Sequence, residues 1–216
     1  MPRPKPSSSL LVAFMTGCFG ETETEFPVGL EPLEENRASF PAAEAGDPNP
    51  ERFNLASFES DGLYSTHVRG YFDAELVDVW DAMKDPEVVA DRRKVDELSF
   101  EEILDESLAR SFVLHNVVHD IITVRFDVTW KQAVARGTNE APEVVSMRFQ
   151  KTYGSTVIQT LRGSIVLTGL DGTTSIEMVE HLEALSGGNE ELESYLTDLF
   201  WSVVARAHGR PLPTYE

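Results

Sequence analysis

Residues 156–207 carry the pattern that decides the fold: TVIQTLRGSIVLTGLDGTTSIEMVEHLEALSGGNEELESYLTDLFWSVVARA. The first part of this stretch contains two runs rich in β-branched and apolar residues, Thr156–Leu170 and Thr173–Leu185, which are joined by Asp171-Gly172. An Asp-Gly pair between two such runs is the strongest short-range signal of a tight β-hairpin. This part therefore predicts two long antiparallel strands.

The second part of the same stretch predicts a long helix. Gly187-Gly188 ends the strand, and Asn189 is a good N-cap, followed by acidic residues that the helix dipole favours in a first turn. Gly209, with a proline shortly after it, ends the helical pattern. One apolar stripe at helical spacing consists of Leu192, Tyr195, Leu196, Leu199, Phe200, Val203 and Ala207. We expect this stripe to face the sheet.

Toward the N-terminus, the pattern predicts five more strands and two short helices. The strands are Leu63–Tyr71, Leu98–Asp105, Ser111–Ile122, Thr123–Ala135 and Glu143–Tyr153. After the first of them, Asp73 is a suitable N-cap for a helix with one apolar stripe. Asp85-Pro86 ends that helix, because proline disfavours helical geometry in the residue before it. A shorter helix is predicted over Glu87–Asp91.

This order of elements, from the helix beginning near Asp73 through the Asp171-Gly172 hairpin to the helix Leu192–Ala207, resembles the START-like or SRPBCC superfamily. The resemblance covers most of the chain between Leu63 and Gly209. It implies an α+β helix-grip fold, a curved antiparallel sheet of about six to seven strands around a long C-terminal helix, with two short helices after the first strand. It also implies an apolar cavity between sheet and helix. Known members bind lipids, sterols, quinones or polyketides, and some cyclise or hydroxylate them.

Strand alternation directs one set of side chains toward that predicted cavity. Val124, Phe126, Val128 and Trp130 share one face of their strand, since successive side chains point to opposite faces. Core formation alone explains such a set, whereas adaptable methionines beside large aromatics also suit a pocket, and both interpretations stay open. The candidate ligand-binding residues are Phe126, Val128, Trp130, Met147, Phe149, Ile165, Leu167, Met178, Tyr195 and Leu199.

Glu180 is the candidate for acid–base chemistry. It falls on the same face as Met178 and Leu182, where partial desolvation would raise its pKa and allow it to act as a general acid or base. A position at the cavity mouth or a basic partner would explain it equally. The sequence contains no G-x-S-x-G elbow and no glycine-rich phosphate loop, and we expect no cofactor.

His115 and His119 raise the question of a metal site. Their surroundings are β-branched, which favours a strand. Four residues of strand span about 13 Å, too far for both rings to bind one ion at about 2 Å. We therefore expect no metal site at this pair.

Charge limits the possible partners. The chain has 18 basic and 37 acidic residues, a formal net charge of -19, which repels the phosphate backbone of nucleic acids and favours a soluble monomer. The one basic cluster is Arg92, Arg93 and Lys94, after the second helix. It could bind an anionic lipid headgroup or be a solvated run neutralised by neighbouring acidic residues.

The N-terminus predicts a lipid anchor. Arg3 and Lys5 precede a short apolar run, and small residues follow directly before Cys18, the sole cysteine. This order resembles a bacterial lipobox, which implies cleavage before Cys18 and acylation of its thiol, although Met15 stands where leucine is usual. Phe19, in place of the aspartate of inner-membrane retention signals, favours the outer membrane. The alternative is an unprocessed N-terminus and a soluble cytoplasmic protein.

Three regions follow from these patterns: a signal peptide over residues 1–17, a flexible Pro/Glu-rich linker over 18–54, and a START-like domain over 55–216. The alternatives for the middle region are a pro-region or a strap lying on the domain, with Phe26, Phe40 and Phe53 as docking residues. The leading functional hypothesis is an envelope lipoprotein whose domain binds a hydrophobic ligand as carrier or sensor. The others are a polyketide cyclase or aromatase using Glu180, and an interaction module with a filled core.

Overall fold

The computed structural model describes residues 20–215. The elements within this range run, in chain order, β1 Glu21–Glu23, β2 Arg52–Ser60, β3 Leu63–Phe72, α1 Leu76–Met83, α2 Pro86–Val89, β4 Glu97–Glu102, β5 Arg110–His119, β6 Thr123–Gly137, β7 Pro142–Ser155, β8 Ile158–Gly169, β9 Thr174–Ala184 and α3 Asn189–Ala207. The predicted signal peptide and Cys18 lie outside the described residues.

All strands join one antiparallel sheet in the order β2-β3-β9-β8-β7-β6-β5-β4, and β1 adds to β7. The predicted fold class is confirmed: the sheet curves around α3, and two short helices follow β3. Two strands beyond the expected number, β1 and β2, come from the chain before Leu63. Asp61-Gly62 makes the turn between β2 and β3, with both residues at positive φ (53° and 83°). A turn of this kind suits Asp-Gly.

The helix starts differ from the predicted ones. Asp73 does not cap α1, which begins at Leu76 after Glu75 without a side-chain cap, so that prediction was wrong. Asn189 is the first residue of α3 rather than its cap. The orphan N–H of Gly188 instead donates to the Glu191 carboxylate at 2.8 Å, which satisfies the helix start from within its first turn.

The core fills the space between α1, α3 and the concave inner face of the sheet. Phe200 of α3 stacks on Phe72 of β3, with ring centroids 4.6 Å apart. Trp80 of α1 donates its indole N–H to the Gln132 side chain at 2.9 Å, and that amide donates in turn to the Met83 carbonyl at 3.0 Å. These bonds satisfy polar groups in an otherwise apolar layer and fix α1 on β6.

The chain before β2 is not a flexible linker, which corrects the prediction for residues 20–54. Residues 20–50, here called the strap, pair with β7 through β1 and then lie along the outer face of the sheet. The Asn36 side chain donates to the carbonyls of Val68 and Met178 at 2.9 and 3.1 Å, and the Leu33 N–H donates to the Ser164 hydroxyl at 3.0 Å. Prolines exclude a helix there but leave an extended chain free to pack. The alternative interpretation, a strap on the domain, is the one that the structure supports.

Phe40, one of the three phenylalanines proposed as docking residues, illustrates this packing: it stacks on Tyr71 with centroids 5.0 Å apart. Phe53 is not part of the strap; it belongs to β2 and packs on Phe200 of α3, with centroids 4.7 Å apart. No helix within residues 20–215 is long and apolar enough to cross a membrane.

Candidate functional site

A cavity of about 700 Å³ lies between the concave face of the sheet and the first turns of α3. Its walls are mostly apolar and come from α2 and the segment after it, the strands β5 to β9 and α3. The volume lies within the range of typical ligand pockets, about 300–1,000 Å³. The inner face is therefore packed as a core over one part and open over another.

The structure divides the candidate ligand-binding residues into two groups. One group lines the cavity: Phe126, Val128, Trp130, Phe149 and Tyr195. The other belongs to the packed core and does not line it: Met147, Ile165, Leu167, Met178 and Leu199. Strand alternation identifies the face a side chain occupies but not how far along the strand the cavity extends.

An aromatic stack forms one cavity wall. Trp130 and Phe149 stack with centroids 4.4 Å apart and an interplanar angle of 19°. Phe149 faces Gly163 across β7 and β8, and a Cβ at Gly163 would stand 2.1 Å from the Phe149 Cζ atom. A glycine is required there because the ring occupies the space of any larger side chain.

Glu180 is a deeply buried carboxyl in the cavity lining. It is 2% exposed, and its Oε2 atom has no hydrogen-bond partner within residues 20–215. Burial, reinforced by the nearby charge of Asp91, raises the pKa of Glu180 well above its usual value. Burial disfavours the ionised form and so favours the protonated carboxyl, whose O–H group can donate a hydrogen bond.

Two further oxygen-bearing groups line the cavity near Glu180. The Tyr195 hydroxyl donates to the Val89 carbonyl at 2.9 Å, and burial, with Glu180 and Asp91 nearby, raises the pKa of Tyr195. Burial also raises the pKa of Asp91, against the opposing effect of its hydrogen bonds from the backbone N–H groups of Arg93 and Lys94. The site thus combines an apolar body with a few convergent polar groups.

The basic cluster does not act as a unit at the cavity. Arg92 donates to the Pro213 carbonyl at 2.9 Å and to the Ser202 hydroxyl at 3.1 Å. Arg93 makes two hydrogen bonds to Asp198, at 2.9 and 3.0 Å. Among the three, Lys94 alone lines the cavity.

The two histidines on β5 have separate partners. His115 Nδ1 lies 2.9 Å from the Asp127 carboxylate, and His119 Nε2 lies 2.8 Å from that of Glu97. In the part of the chain that the structure describes, no group of three or more His, Cys, Asp and Glu side chains could hold a metal ion.

The cavity rim was not anticipated from the sequence. Ile121 and Ile122, in the turn between β5 and β6, line the opening, and Ile121 is 96% exposed. Val157 and Ile158, at the β7–β8 turn, belong to the same lining. The available signal was a pair of isoleucines directly after Asp120, at the end of the predicted strand Ser111–Ile122.

A second group that sequence reasoning missed lies on the outer face. The Glu34 carboxylate of the strap lies 2.9 Å from His67 Nε2 and 3.4 Å from His181 Nε2. The backbone N–H of Arg37 donates to His67 Nδ1 at 3.0 Å, so Nε2 carries the proton and donates to Glu34. This cluster fastens the strap to β3 and β9.

No family model and no curated protein matches the chain. Among solved structures it is similar to the lipid transfer and protein localization domain of human StarD13, at 11% identity over 73% of this chain and 83% of that one, with a TM-score of 0.50. Human STARD10 is 8% identical over 73% and 75%, with a TM-score of 0.45. An aromatase/cyclase from a Streptomyces species is 11% identical over 73% and 93%, with a TM-score of 0.42. The likeness to the StarD13 domain shows that the fold is START-like.

Proposed function

We propose that the protein binds a hydrophobic ligand in the cavity between sheet and α3, as a carrier or sensor. The observation that carries this proposal is the unfilled, apolar volume of about 700 Å³. Where the inner face is only a core, its side chains close the space, as Met147 and Ile165 do. Beside Trp130 and Phe149 they leave it open.

The chemistry of the walls supports a lipid-like ligand. Large aromatic and aliphatic side chains supply apolar area, and Asp91, Glu180 and Tyr195 supply polar groups that would orient a bound molecule. The similar StarD13 domain is described as a lipid transfer domain, which favours the same ligand class here.

We also propose that an acylated Cys18 holds the protein at the cell envelope, with the outer membrane favoured. The position of the strap adds a consequence. The Gly20 carbonyl accepts from the Thr156 N–H at 2.9 Å, next to rim residues Val157 and Ile158. Two extended residues span about 7 Å, so an anchor at Cys18 would keep the cavity rim near the bilayer. Replacing Cys18 by Ser should release the protein from membranes, and unchanged partitioning would rule out the anchor.

The test of ligand binding is native mass spectrometry of residues 20–216, followed by organic extraction. We expect an apolar molecule to accompany the protein, or to be taken up from added lipids. Val128→Phe should abolish binding by filling the cavity, whereas Val77→Phe, the same change at an exposed site on α1, should leave it intact. A ligand-free mass under all gentle conditions, with no uptake, would contradict the proposal.

Glu180 favours a second candidate, an enzyme of the cyclase or aromatase type. A carboxyl whose pKa is raised by burial in an apolar cavity is suited to general-acid catalysis. Loss of turnover of a polyketide substrate in Glu180→Gln, with binding intact, would favour this enzyme over a carrier.

A further inference from the structure

We propose that Glu180 selects uncharged ligands that carry a hydroxyl or carbonyl oxygen, by donating a hydrogen bond to that oxygen inside the cavity. This inference rests on the proposed function, ligand binding in the same cavity, and names the chemical class of the ligand.

Glu180 has hydrogen-bonding capacity that the described residues do not meet. Its neighbours across the sheet are Gly163, which has no side chain, and Thr66, whose hydroxyl is 3.0 Å from that of Ser57. The Tyr195 hydroxyl already donates to a backbone carbonyl. Within residues 20–215, the groups around Glu180 thus leave its Oε2 atom without a hydrogen bond. Most buried polar groups in native proteins are hydrogen-bonded.

The second step is the protonation state. For a carboxyl buried to 2% exposure beside Asp91, the uncharged form is favoured, because burial and a like charge both raise its pKa. An uncharged carboxyl is a hydrogen-bond donor through its O–H group. An alcohol, ketone or ester oxygen accepts that bond, whereas an alkane has no acceptor.

The third step is the charge of the cavity lining. Four acidic residues line it, Asp91, Asp120, Glu180 and Glu191, against one basic residue, Lys94. This balance disfavours a ligand carboxylate or phosphate. An ammonium group has donors and no acceptor, so it would leave the Glu180 O–H unpaired unless Glu180 lost its proton.

The experiment compares matched ten-carbon probes, 1-decanol, 2-decanone, decanoate and decylammonium, below their aggregation concentrations. Binding is followed by tryptophan fluorescence, since Trp130 lines the cavity, and by calorimetry. We expect the alcohol and the ketone to bind at least about tenfold more tightly than decanoate and decylammonium, roughly the effect of one hydrogen bond to a buried group.

Variants test whether Glu180 is responsible. Glu180→Met should lower alcohol and ketone affinity about tenfold and remove the preference. Glu180→Gln should retain much of it, because the amide N–H₂ group also donates. Glu177→Met serves as the matched control: Glu177 lies on the same strand, faces outward and pairs with Arg69 at 2.8 Å, so probe affinities should not change.

The outcomes separate this inference from the proposed function. If decanoate or decylammonium binds as tightly as decanol, or if Glu180→Met keeps the wild-type preference, the inference is overturned while cavity binding stands. If no probe binds the wild-type protein, both the proposed function and this inference are overturned.

Discussion

Glu180 and His181 are consecutive residues of β9 that face opposite sides of the same sheet. On the inner face, Glu180 is buried, and its Oε2 atom has no hydrogen-bond partner within residues 20–215. On the outer face, His67 donates to the Glu34 carboxylate at 2.9 Å, and His181 Nε2 lies 3.4 Å from the same carboxylate as a charge contact without a hydrogen bond. Both positions are buried, and the difference lies in what covers them.

This difference shows how one sheet serves two purposes. The strap covers the outer face of the sheet and supplies the Glu34 carboxylate to His67 and His181. Within residues 20–215, no group plays the same part for Glu180 Oε2 on the inner face. Burial alone would raise the pKa of Glu34, but hydrogen bonds and charge interactions, with His181 and then His67, outweigh it and lower that pKa. The pKa of Glu180 has no such compensation and rises.

The largest expected effect comes from removing the polar group that holds the strap. Asn36→Leu should lower the free energy of unfolding by about 2–3 kcal/mol, since it removes hydrogen bonds to the carbonyls of Val68 and Met178 in a buried place. Urea unfolding measures this change. Asn54→Leu is the control, because its amide bonds to Ser39 at an exposed site. Equal losses in the two variants would mean that the strap is not fixed by Asn36.

The next effect concerns the inner face. Gly163→Ala should cost about 2 kcal/mol through overpacking, because its methyl group would meet the Phe149 ring at 2.1 Å. The displaced ring would also enter the cavity and lower probe affinity. Gly169→Ala, on the same strand with its nearest side-chain atoms of Leu76 at 3.4 Å, is the matched control. Unchanged affinity in Gly163→Ala would mean that Phe149 does not shape the binding space.

A substitution at Glu180 should raise the free energy of unfolding, whereas the two preceding substitutions lower it. Glu180→Met keeps the side-chain volume and removes a desolvated carboxyl whose Oε2 atom has no hydrogen-bond partner in the described part of the chain, so it should raise the free energy of unfolding by about 1–2 kcal/mol. Because the pKa of Glu180 is raised in the folded state, the gain should grow as pH rises above 4.5, where the unfolded carboxyl ionises more readily than the folded one. Thermal unfolding at pH 5 and 7.5 measures both effects. A destabilised variant at both pH values would show that the carboxyl has a stabilising partner.

Sequence patterns predicted some of these features and missed others. Period-2 alternation placed Glu180 on the inner face, and the Asp171-Gly172 pair located the β8–β9 hairpin. The same dipeptide at Asp61-Gly62 marks the β2–β3 hairpin, which was missed because the linker was extended to residue 54 and the first strand was placed at Leu63. Local turn chemistry was present there, but proline and acidic content masked it.

The extent of the cavity could not be predicted for a different reason. Trp130 and Met147 have equivalent inward positions on adjacent strands, yet only Trp130 lines the cavity. What separates them is where α1 and α3 cross the sheet, which depends on packing between distant parts of the chain. The strap contacts of Glu34 are equally non-local, since its partner His181 lies far along the chain.

The smallest expected effect tests the outer face by pH. Glu34 has a lowered pKa, so its contribution to stability is complete above its unfolded value of 4.5 and is lost as pH falls through the lower folded value. Glu34→Gln should therefore lower the unfolding temperature at pH 7 and lower it less near pH 3.5. The effect should be small because Glu34 is a third exposed and screened by solvent.

The histidines of this cluster also make stability fall as pH drops, but they do so at higher pH than Glu34. Burial comes first in lowering the pKa of both His67 and His181, so the unfolded chain binds more protons than the folded one below 6.5. Wild-type stability should then fall as pH drops from 6.5, opposite in sign to the contribution of Glu180. If Glu34→Gln and Glu180→Gln shifted the pH profile in the same direction, the two faces would not differ in the way their hydrogen bonds indicate.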